Sequence, residues 1–164
     1  MGLSVAPLDQ AGVVEHVFAA LAREEGGWIV TANLDFLRKY AKEPETRRLY
    51  DAADIRIADG MPLVWAASLQ GDTLPTRVAG ATLVERLAEE AAHRGRAVYL
   101  LGGAGGVAER AASIWESRYP SLRIAGFSEP WVSLPPTDDE LTRITEDLRA
   151  AGAEVILAGL GSPQ

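Results

Sequence analysis

The chain has 164 residues, of which 48% are hydrophobic and 24% charged, a composition that fits one folded domain and excludes a disordered chain. It has no cysteine, which excludes disulfides, iron–sulfur clusters and a cysteine nucleophile, and its only histidines, His16 and His93, are too far apart in sequence to suggest a zinc site. The net charge of −7 argues against general nucleic-acid binding, and no apolar run is long enough to span a membrane.

The first half of the chain alternates amphipathic stretches with short apolar runs. Asp9 is expected to cap a helix that continues to Glu24, in which the apolar residues recur with helical spacing. Pro62 is suited to the first turn of a later helix, because the N–H that proline lacks has no partner there. The elements predicted next are a strand at residues 28–30, helices at 34–40 and 45–53, a strand at 55–58, a helix through residue 69 and a loop at 71–76.

The second half continues this alternation. Two segments, Thr82–Glu85 and Thr137–Glu140, match the capping box that opens a helix. The predicted elements are a helix from residue 82 to the region of residue 95, a strand at 97–101, a helix at 105–119, a strand at 122–127, a loop at 128–136, a helix at 137–152 and a strand at 154–158.

Strands that are apolar throughout and alternate with helices are typical of a parallel sheet with helices on both faces. The sequence therefore predicts an α/β fold in a single domain over residues 1–164. In such sheets ligands bind beyond the carboxyl ends of the strands. The residues that follow each strand are therefore the first candidates for a functional site.

Polar residues follow the first two predicted strands. Thr31 and Asn33 either cap the next helix or donate hydrogen bonds to a sugar or phosphate at its N-terminus. Asp59 precedes Gly60, which permits a sharp turn. Asp59 is either a further helix cap or a partly desolvated general base, and the sequence alone favours neither interpretation.

The third predicted strand runs into a glycine-rich turn that includes Gly102 and Gly103. Gly103, Gly105 and Ala108 fit the G-x-G-x-x-G/A spacing, which lets backbone N–H groups approach a phosphate. A dinucleotide site needs an acidic residue about 20 positions further on, and the residue available is Glu129, beside a proline. The turn therefore favours a phosphate-bearing nucleotide and gives weak support to NAD.

Two further segments are candidates. Arg77 lies in a loop just before a helix, where it is either a solvated surface residue or a clamp for a diphosphate. Gly161 and Ser162 follow the last predicted strand, and the chain ends two residues later at Gln164. A turn of this kind normally leads into a helix, so we expect the sequence to be truncated at a functional loop.

Five segments together resemble the WecG/TagA/CpsF family of bacterial glycosyltransferases, from about residue 5 to the end of the chain. No single segment is specific, but their order along the chain is. They are Thr31–Phe36, Ala58–Val64, Arg77–Gly80, Tyr99–Gly103 with Gly106–Glu109, and Gly159–Pro163.

The resemblance implies a Rossmann-like α/β core that transfers a hexose, N-acetylmannosamine or a related sugar, with inversion and without a metal or other cofactor. The donor would be a UDP-sugar and the acceptor an amino sugar linked to polyprenyl diphosphate, in the synthesis of teichoic acid or another cell-surface polysaccharide. The family would work in the cytoplasm at the inner face of the plasma membrane, with no nucleic-acid partner, and a homo-oligomer is compatible with it. Its membrane-facing C-terminal appendage is absent here, so residues 1–164 are expected to fold but to be nearly inactive.

The resemblance also assigns roles to individual residues. The base of the family falls on Asp59, and its pocket threonine, asparagine and arginine fall on Thr31, Asn33 and Arg77. The glycine-rich segments with Gly102, Gly103, Gly161 and Ser162 would hold the nucleotide. The pocket glutamine of the family follows a basic residue, whereas Gln164 directly follows Pro163, so its assignment to Gln164 needs a one-residue shift.

The residues themselves agree with this reading in two respects. A single base is enough for an inverting displacement, because no covalent intermediate between sugar and enzyme is needed. The sequence contains no Asp-x-Asp motif, so arginines and backbone N–H groups would have to hold the leaving diphosphate. Two alternatives remain: an NAD(P)-dependent oxidoreductase that uses the glycine-rich turn, and a nucleotide-binding module without catalytic activity.

Overall fold

The computed structural model describes residues 3–160, in which seven helices alternate with five strands. The strands are β1 (Ile29–Ala32), β2 (Ile55–Ala58), β3 (Ala97–Gly102), β4 (Arg123–Ser128) and β5 (Val155–Gly159). The helices are α1 (Gln10–Ala22), α2 (Leu34–Lys42), α3 (Pro44–Asp51), α4 (Met61–Leu69), α5 (Gly80–Arg94), α6 (Val107–Arg118) and α7 (Asp138–Ala150). None of these helices is both long and apolar enough to cross a lipid bilayer.

Each strand pair in the described part of the chain is parallel, which confirms the predicted α/β class. β1 pairs with β2 in one sheet, and β3 is the central strand of a second sheet with the order β4-β3-β5. The chain divides into two compact units, one up to Glu85 and one from Arg86 onward. Each unit contains one of the two sheets.

The first unit has a hydrophobic core between its strand pair and the helices that follow the strands. Ala32 and Ala58, which pair in register at the ends of β1 and β2, are buried together with Phe36, Tyr40 and Leu63. Small residues at the strand ends leave room for these larger side chains from α2 and α4. The two strands therefore end at the same level, and the residues that follow them share one edge of the sheet.

Arg56 on β2 ties the end of α3 to this sheet. Its guanidinium donates hydrogen bonds to the backbone carbonyls of Ser4, Tyr50, Asp51 and Ala53 at 2.9–3.1 Å. The carbonyls of Tyr50, Asp51 and Ala53 lie at or just beyond the C-terminus of α3, where helix carbonyls have no helical partner. The arginine thus satisfies acceptors that would otherwise need water.

The second unit is organised around β3, which is buried along its whole length. A continuously apolar strand fits the centre of a sheet because both of its faces are covered. In register, Leu101 pairs with Ser128 of β4, and Gly102 pairs with Gly159 of β5. The carboxyl ends of all three strands therefore meet at one edge.

Most predicted helix starts are confirmed, and one is wrong. The Asp9 side chain caps α1, and Thr137 forms a capping box with Glu140 at the start of α7. The capping box predicted at Thr82 does not form, because α5 begins two residues earlier at Gly80 and the Thr82 hydroxyl donates to the carbonyl of Ala79 at 3.0 Å. At this start the N–H of Gly80 donates to Asp59, the residue after β2, and a local sequence pattern does not reveal such a contact.

Candidate functional site

The carboxyl edge of the β1–β2 sheet holds Asp59 in a defined orientation. Its backbone N–H donates to the carbonyl of Ala32 at 2.7 Å and so extends the parallel ladder past the end of β2. Its carboxylate oxygen Oδ2 accepts a 3.1 Å hydrogen bond from the backbone N–H of Gly80, the first residue of α5. The next residue, Gly60, has φ +155°, a conformation that favours glycine and turns the chain directly into α4.

Thr31 and Asp59 meet at Gly80. A methyl group in place of the Gly80 hydrogen would lie 3.5 Å from Thr31 Oγ1 and 3.7 Å from Asp59 Oδ2. Val78 anchors this segment, since it is buried and its N–H donates to the Ala58 carbonyl at 2.8 Å. The structure thus brings a hydroxyl and a carboxylate together beside the N-terminus of a helix.

Asn33 serves as the cap of α2. Its side-chain oxygen Oδ1 accepts a 3.0 Å hydrogen bond from the backbone N–H of Phe36, and the residue itself is exposed. The capping interpretation of Asn33 is therefore confirmed. The cap occupies Oδ1, so within residues 3–160 the two Nδ2 hydrogens can still donate to a ligand, and capping does not rule out a second role.

Arg77 lies in the loop before α5, one residue before buried Val78. Its side chain is exposed, and in the described part of the chain the guanidinium forms no ion pair or hydrogen bond with another residue. An exposed guanidinium of this kind can donate to an incoming phosphate without first breaking an internal bond.

In the second unit, Gly102 and Gly103 lie where β3 meets β5. Gly102 has φ +107°, and a Cβ there would lie 2.6 Å from the backbone carbon and oxygen of Gly159. The backbone N–H of Gly103 donates to the same Gly159 oxygen at 3.0 Å. The close approach of the two strand ends is thus one reason for glycine at position 102, whatever this turn binds.

The start of α6 is occupied by a side chain of the protein itself. The Glu129 carboxylate, one residue past β4, accepts hydrogen bonds from the backbone N–H groups of Gly106 at 3.0 Å and Ala108 at 2.9 Å. These bonds, that from Ala108 foremost, hold the pKa of the Glu129 carboxyl below its usual value. In a dinucleotide site the pyrophosphate would use these N–H groups, so this geometry gives no support to the NAD(P) interpretation.

An open cleft of about 480 Å³ lies beside this turn. Trp131, whose side chain is 78% exposed, lines the cleft with Glu129 and Pro130. The rest of the lining comes from the glycine-rich turn at residues 103–105 and from Gly159 and Leu160. The cleft therefore lies at the carboxyl edge of the three-stranded sheet, where ligands bind in α/β folds.

Three of the predicted site residues, Gly161, Ser162 and Gln164, lie outside the described residues. Within residues 3–160, no group of three or more histidine or acidic side chains is close enough to hold a metal ion.

Sequence reasoning assigned no role in the site to Trp131 or Gly80, and it considered Glu129 only as the acidic partner of a dinucleotide turn. The signal that could have found Glu129 and Trp131 was available, because both closely follow a strand. Gly80 gave no such signal, since its contact with Asp59 joins positions 21 residues apart.

The sequence model of one family, described as "Glycosyl transferase WecG/TagA/CpsF family", matches residues 1–164. The chain is also similar to the N-acetylglucosaminyldiphosphoundecaprenol N-acetyl-beta-D-mannosaminyltransferase of Bacillus spizizenii, with 25% identity over 143 residues. That alignment covers 87% of this chain and 53% of the relative, so the chain spans about half the length of the curated relative that it matches.

Proposed function

The chain belongs to the WecG/TagA/CpsF family of glycosyl transferases, and on that premise we propose that it transfers N-acetylmannosamine or a related hexose from a UDP-sugar. The acceptor is an amino sugar linked to polyprenyl diphosphate, and the product enters a cell-surface polysaccharide or teichoic acid. The name of the Bacillus relative, which describes N-acetylmannosaminyl transfer to such an acceptor, supports this choice. Because the acceptor is anchored in a bilayer, the reaction takes place at the membrane surface.

The observation that carries the proposal is the carboxylate of Asp59, held at the carboxyl edge of β1 and β2. Gly80 donates to Oδ2 of this group, which leaves Oδ1 to accept a proton from the acceptor hydroxyl. The acceptor oxygen that loses this proton attacks the anomeric carbon of the donor, and the bond from that carbon to the diphosphate breaks. UDP leaves with the electron pair, so a single displacement inverts the configuration.

The neighbouring side chains fit supporting roles. Thr31, beside Asp59, and the Nδ2 group of Asn33 would orient the sugars by hydrogen bonds. Arg77 would donate to the diphosphate as its charge develops. The sequence has no Asp-x-Asp motif for a divalent ion, which supports a mechanism in which arginine and backbone N–H groups carry this charge.

Asp59→Asn tests the general base in the complete gene product. Turnover with UDP-N-acetylmannosamine and a soluble acceptor analogue is expected to fall by about 10²–10⁴-fold, the usual contribution of a positioned base. UDP affinity, measured by calorimetry, should stay unchanged because the amide keeps nearly the same shape. The matched control is Asp72→Asn, an exposed loop carboxylate of the same unit. A rate within threefold of the parent for Asp59→Asn would remove this residue from the mechanism.

The same assay tests metal independence. Transfer is expected to continue in excess EDTA at the rate measured without it. A rate that collapses in EDTA and recovers on adding magnesium or manganese would contradict the metal-free mechanism and leave the assignment of Asp59 intact.

A further inference from the structure

Gly80 lies beside the carboxylate of Asp59, although neither its backbone nor its surroundings require glycine. Its φ lies outside the positive range in which other residues are strained, unlike the φ of Gly60. A Cβ at Gly80 would meet its nearest neighbours at 3.4–3.7 Å, which is ordinary van der Waals contact. Alanine would therefore fit the start of α5, and alanine is the better helix former. The reason for glycine at this position is thus sought in function.

The missing side chain leaves a methyl-sized space between two groups of the candidate site. A Cβ at Gly80 would lie 3.4 Å from Cγ2 and 3.5 Å from Oγ1 of Thr31, and 3.7 Å from Oδ2 of Asp59. All three residues are half-buried, so a ligand group can reach this space from solvent. A ligand hydroxyl placed there can accept a hydrogen bond from the threonine and donate one to the carboxylate.

The segment that carries Gly80 is held on both sides. Val78 before it is buried and donates its N–H to the Ala58 carbonyl at 2.8 Å, and Leu83 after it is buried as well. The N–H of Gly80 itself donates to Oδ2 of Asp59 at 3.1 Å. A backbone fixed in this way keeps both the carboxylate and the width of the space constant, as a precise site requires.

We propose that Gly80 determines acceptor specificity, because its bare backbone admits the reacting hydroxyl of the acceptor between Thr31 and Asp59. This inference rests on the proposed function, since that function supplies a sugar hydroxyl for Asp59 to deprotonate. The hydroxyl occupies the space that a Cβ would fill, accepts a hydrogen bond from Thr31 and gives its proton to the carboxylate. A methyl group at position 80 displaces this hydroxyl from the base.

Gly80→Ala in the complete gene product tests this role, with UDP-N-acetylmannosamine and a soluble acceptor analogue as substrates. The kcat/KM for the acceptor is expected to fall by about 10–10²-fold, because a displacement of about 1 Å can cost that much. UDP affinity, measured by calorimetry, should stay within twofold of the parent. The thermal unfolding midpoint should be equal or higher, since alanine keeps the N–H that donates to Asp59 and loses less entropy on folding. Gly26→Ala is the matched control and should transfer like the parent, because a Cβ there meets nothing within 4 Å.

A double variant tests whether the added methyl acts by filling this space. Thr31→Ser removes Cγ2, the atom nearest to that methyl, and keeps the hydroxyl. In the Thr31→Ser background the loss caused by Gly80→Ala is expected to be several-fold smaller, because the acceptor hydroxyl regains room. An equal loss in the two backgrounds overturns the inference.

The remaining outcomes separate this inference from the proposed function. Transfer by Gly80→Ala at the parent's rate overturns the role of Gly80, while Asp59 and the UDP donor stand. A lower unfolding midpoint together with lost UDP affinity in Gly80→Ala would show that the glycine is needed for the fold, and this also overturns the inference. A parent enzyme that does not transfer from the UDP-sugar contradicts the proposed function itself, and the inference fails with it.

Discussion

Gly102 allows the ends of β3 and β5 to approach each other because it has no side chain. Its φ of +107° lies in a region that other residues rarely adopt, and a Cβ would lie 2.6 Å from the backbone of Gly159. Backbone atoms cannot rotate away as the end of a flexible side chain can. The edge of the three-stranded sheet, with the cleft beside it, therefore depends on this single glycine.

Gly102→Ala is expected to destabilise the fold by at least about 1–3 kcal/mol, the usual cost of a side chain in this backbone conformation. The steric contact with Gly159 adds to that cost. The measurement is the free energy of unfolding from urea titration followed by circular dichroism. Gly26→Ala is the matched control, since a Cβ at Gly26 meets nothing within 4 Å. Equal stability of the two variants would show that β3 and β5 do not approach as described.

At the scale of elements, α7 anchors the loop that carries Trp131. Glu140 accepts hydrogen bonds from the backbone N–H of Thr137, which precedes the helix, and from the N–H and hydroxyl of Ser133 in the loop. These donors, Ser133 foremost, lower the pKa of the Glu140 carboxyl from 4.5 to about 2. One carboxylate therefore fixes both the helix start and the end of the loop.

This anchor is expected to depend on pH. Because the pKa of Glu140 is lower in the folded state, its ionised form stabilises the fold fully above pH 4.5, and the contribution disappears as the pH falls toward about 2. Glu140→Gln should lower the thermal unfolding midpoint by about 2–4 °C near neutral pH. Its difference from the parent should shrink across that acid range.

The matched control for this measurement is Glu146→Gln, which removes an exposed carboxylate later in the same helix. It should shift the midpoint little at any pH. A difference between Glu140→Gln and the parent that stays constant from neutral to acid pH would contradict the role of the ionised carboxylate.

At the scale of the whole molecule, local sequence signals predicted what local interactions determine. The caps at Asp9 and Thr137 lie within a few residues of their partners, and the alternating order of helices and strands follows from apolar spacing. The start of α5 and the contact of the Glu129 carboxylate with the start of α6 depend on hydrogen bonds between positions more than 20 residues apart. No spacing rule reveals such contacts.

The same distinction applies to the division of the strands into two sheets. An apolar run predicts a buried parallel strand, but it does not say which neighbour that strand takes. The candidate site followed from the rule that ligands bind at strand ends, which located Thr31, Asn33 and Asp59 correctly at one edge. At the carboxyl edge of the β4-β3-β5 sheet, the role of Glu129 became clear only from its hydrogen bonds in the structure.

The net charge of the whole chain leads to a last prediction, on membrane binding. The chain has 23 acidic and 16 basic residues, and part of the basic charge is already paired with carboxylates, as in Arg23–Glu25, Arg38–Asp35, Arg86–Glu89 and Arg96–Glu154. Attraction to an anionic bilayer amounts to about 1 kcal/mol for each basic residue near the surface, and acidic residues oppose it. Residues 1–164 are therefore expected to stay in the supernatant when vesicles containing phosphatidylglycerol are sedimented.

Vesicles of phosphatidylcholine alone are the control for this experiment, because they present the same acyl chains without net charge. The expected result is that anionic lipid adds no binding over this control, at low or at physiological salt. Sedimentation with the anionic vesicles that is reversed by salt would show that a local group of basic side chains outweighs the net charge. In that case electrostatic attraction within residues 1–164 would be enough to bring the chain to the bilayer that holds its proposed acceptor.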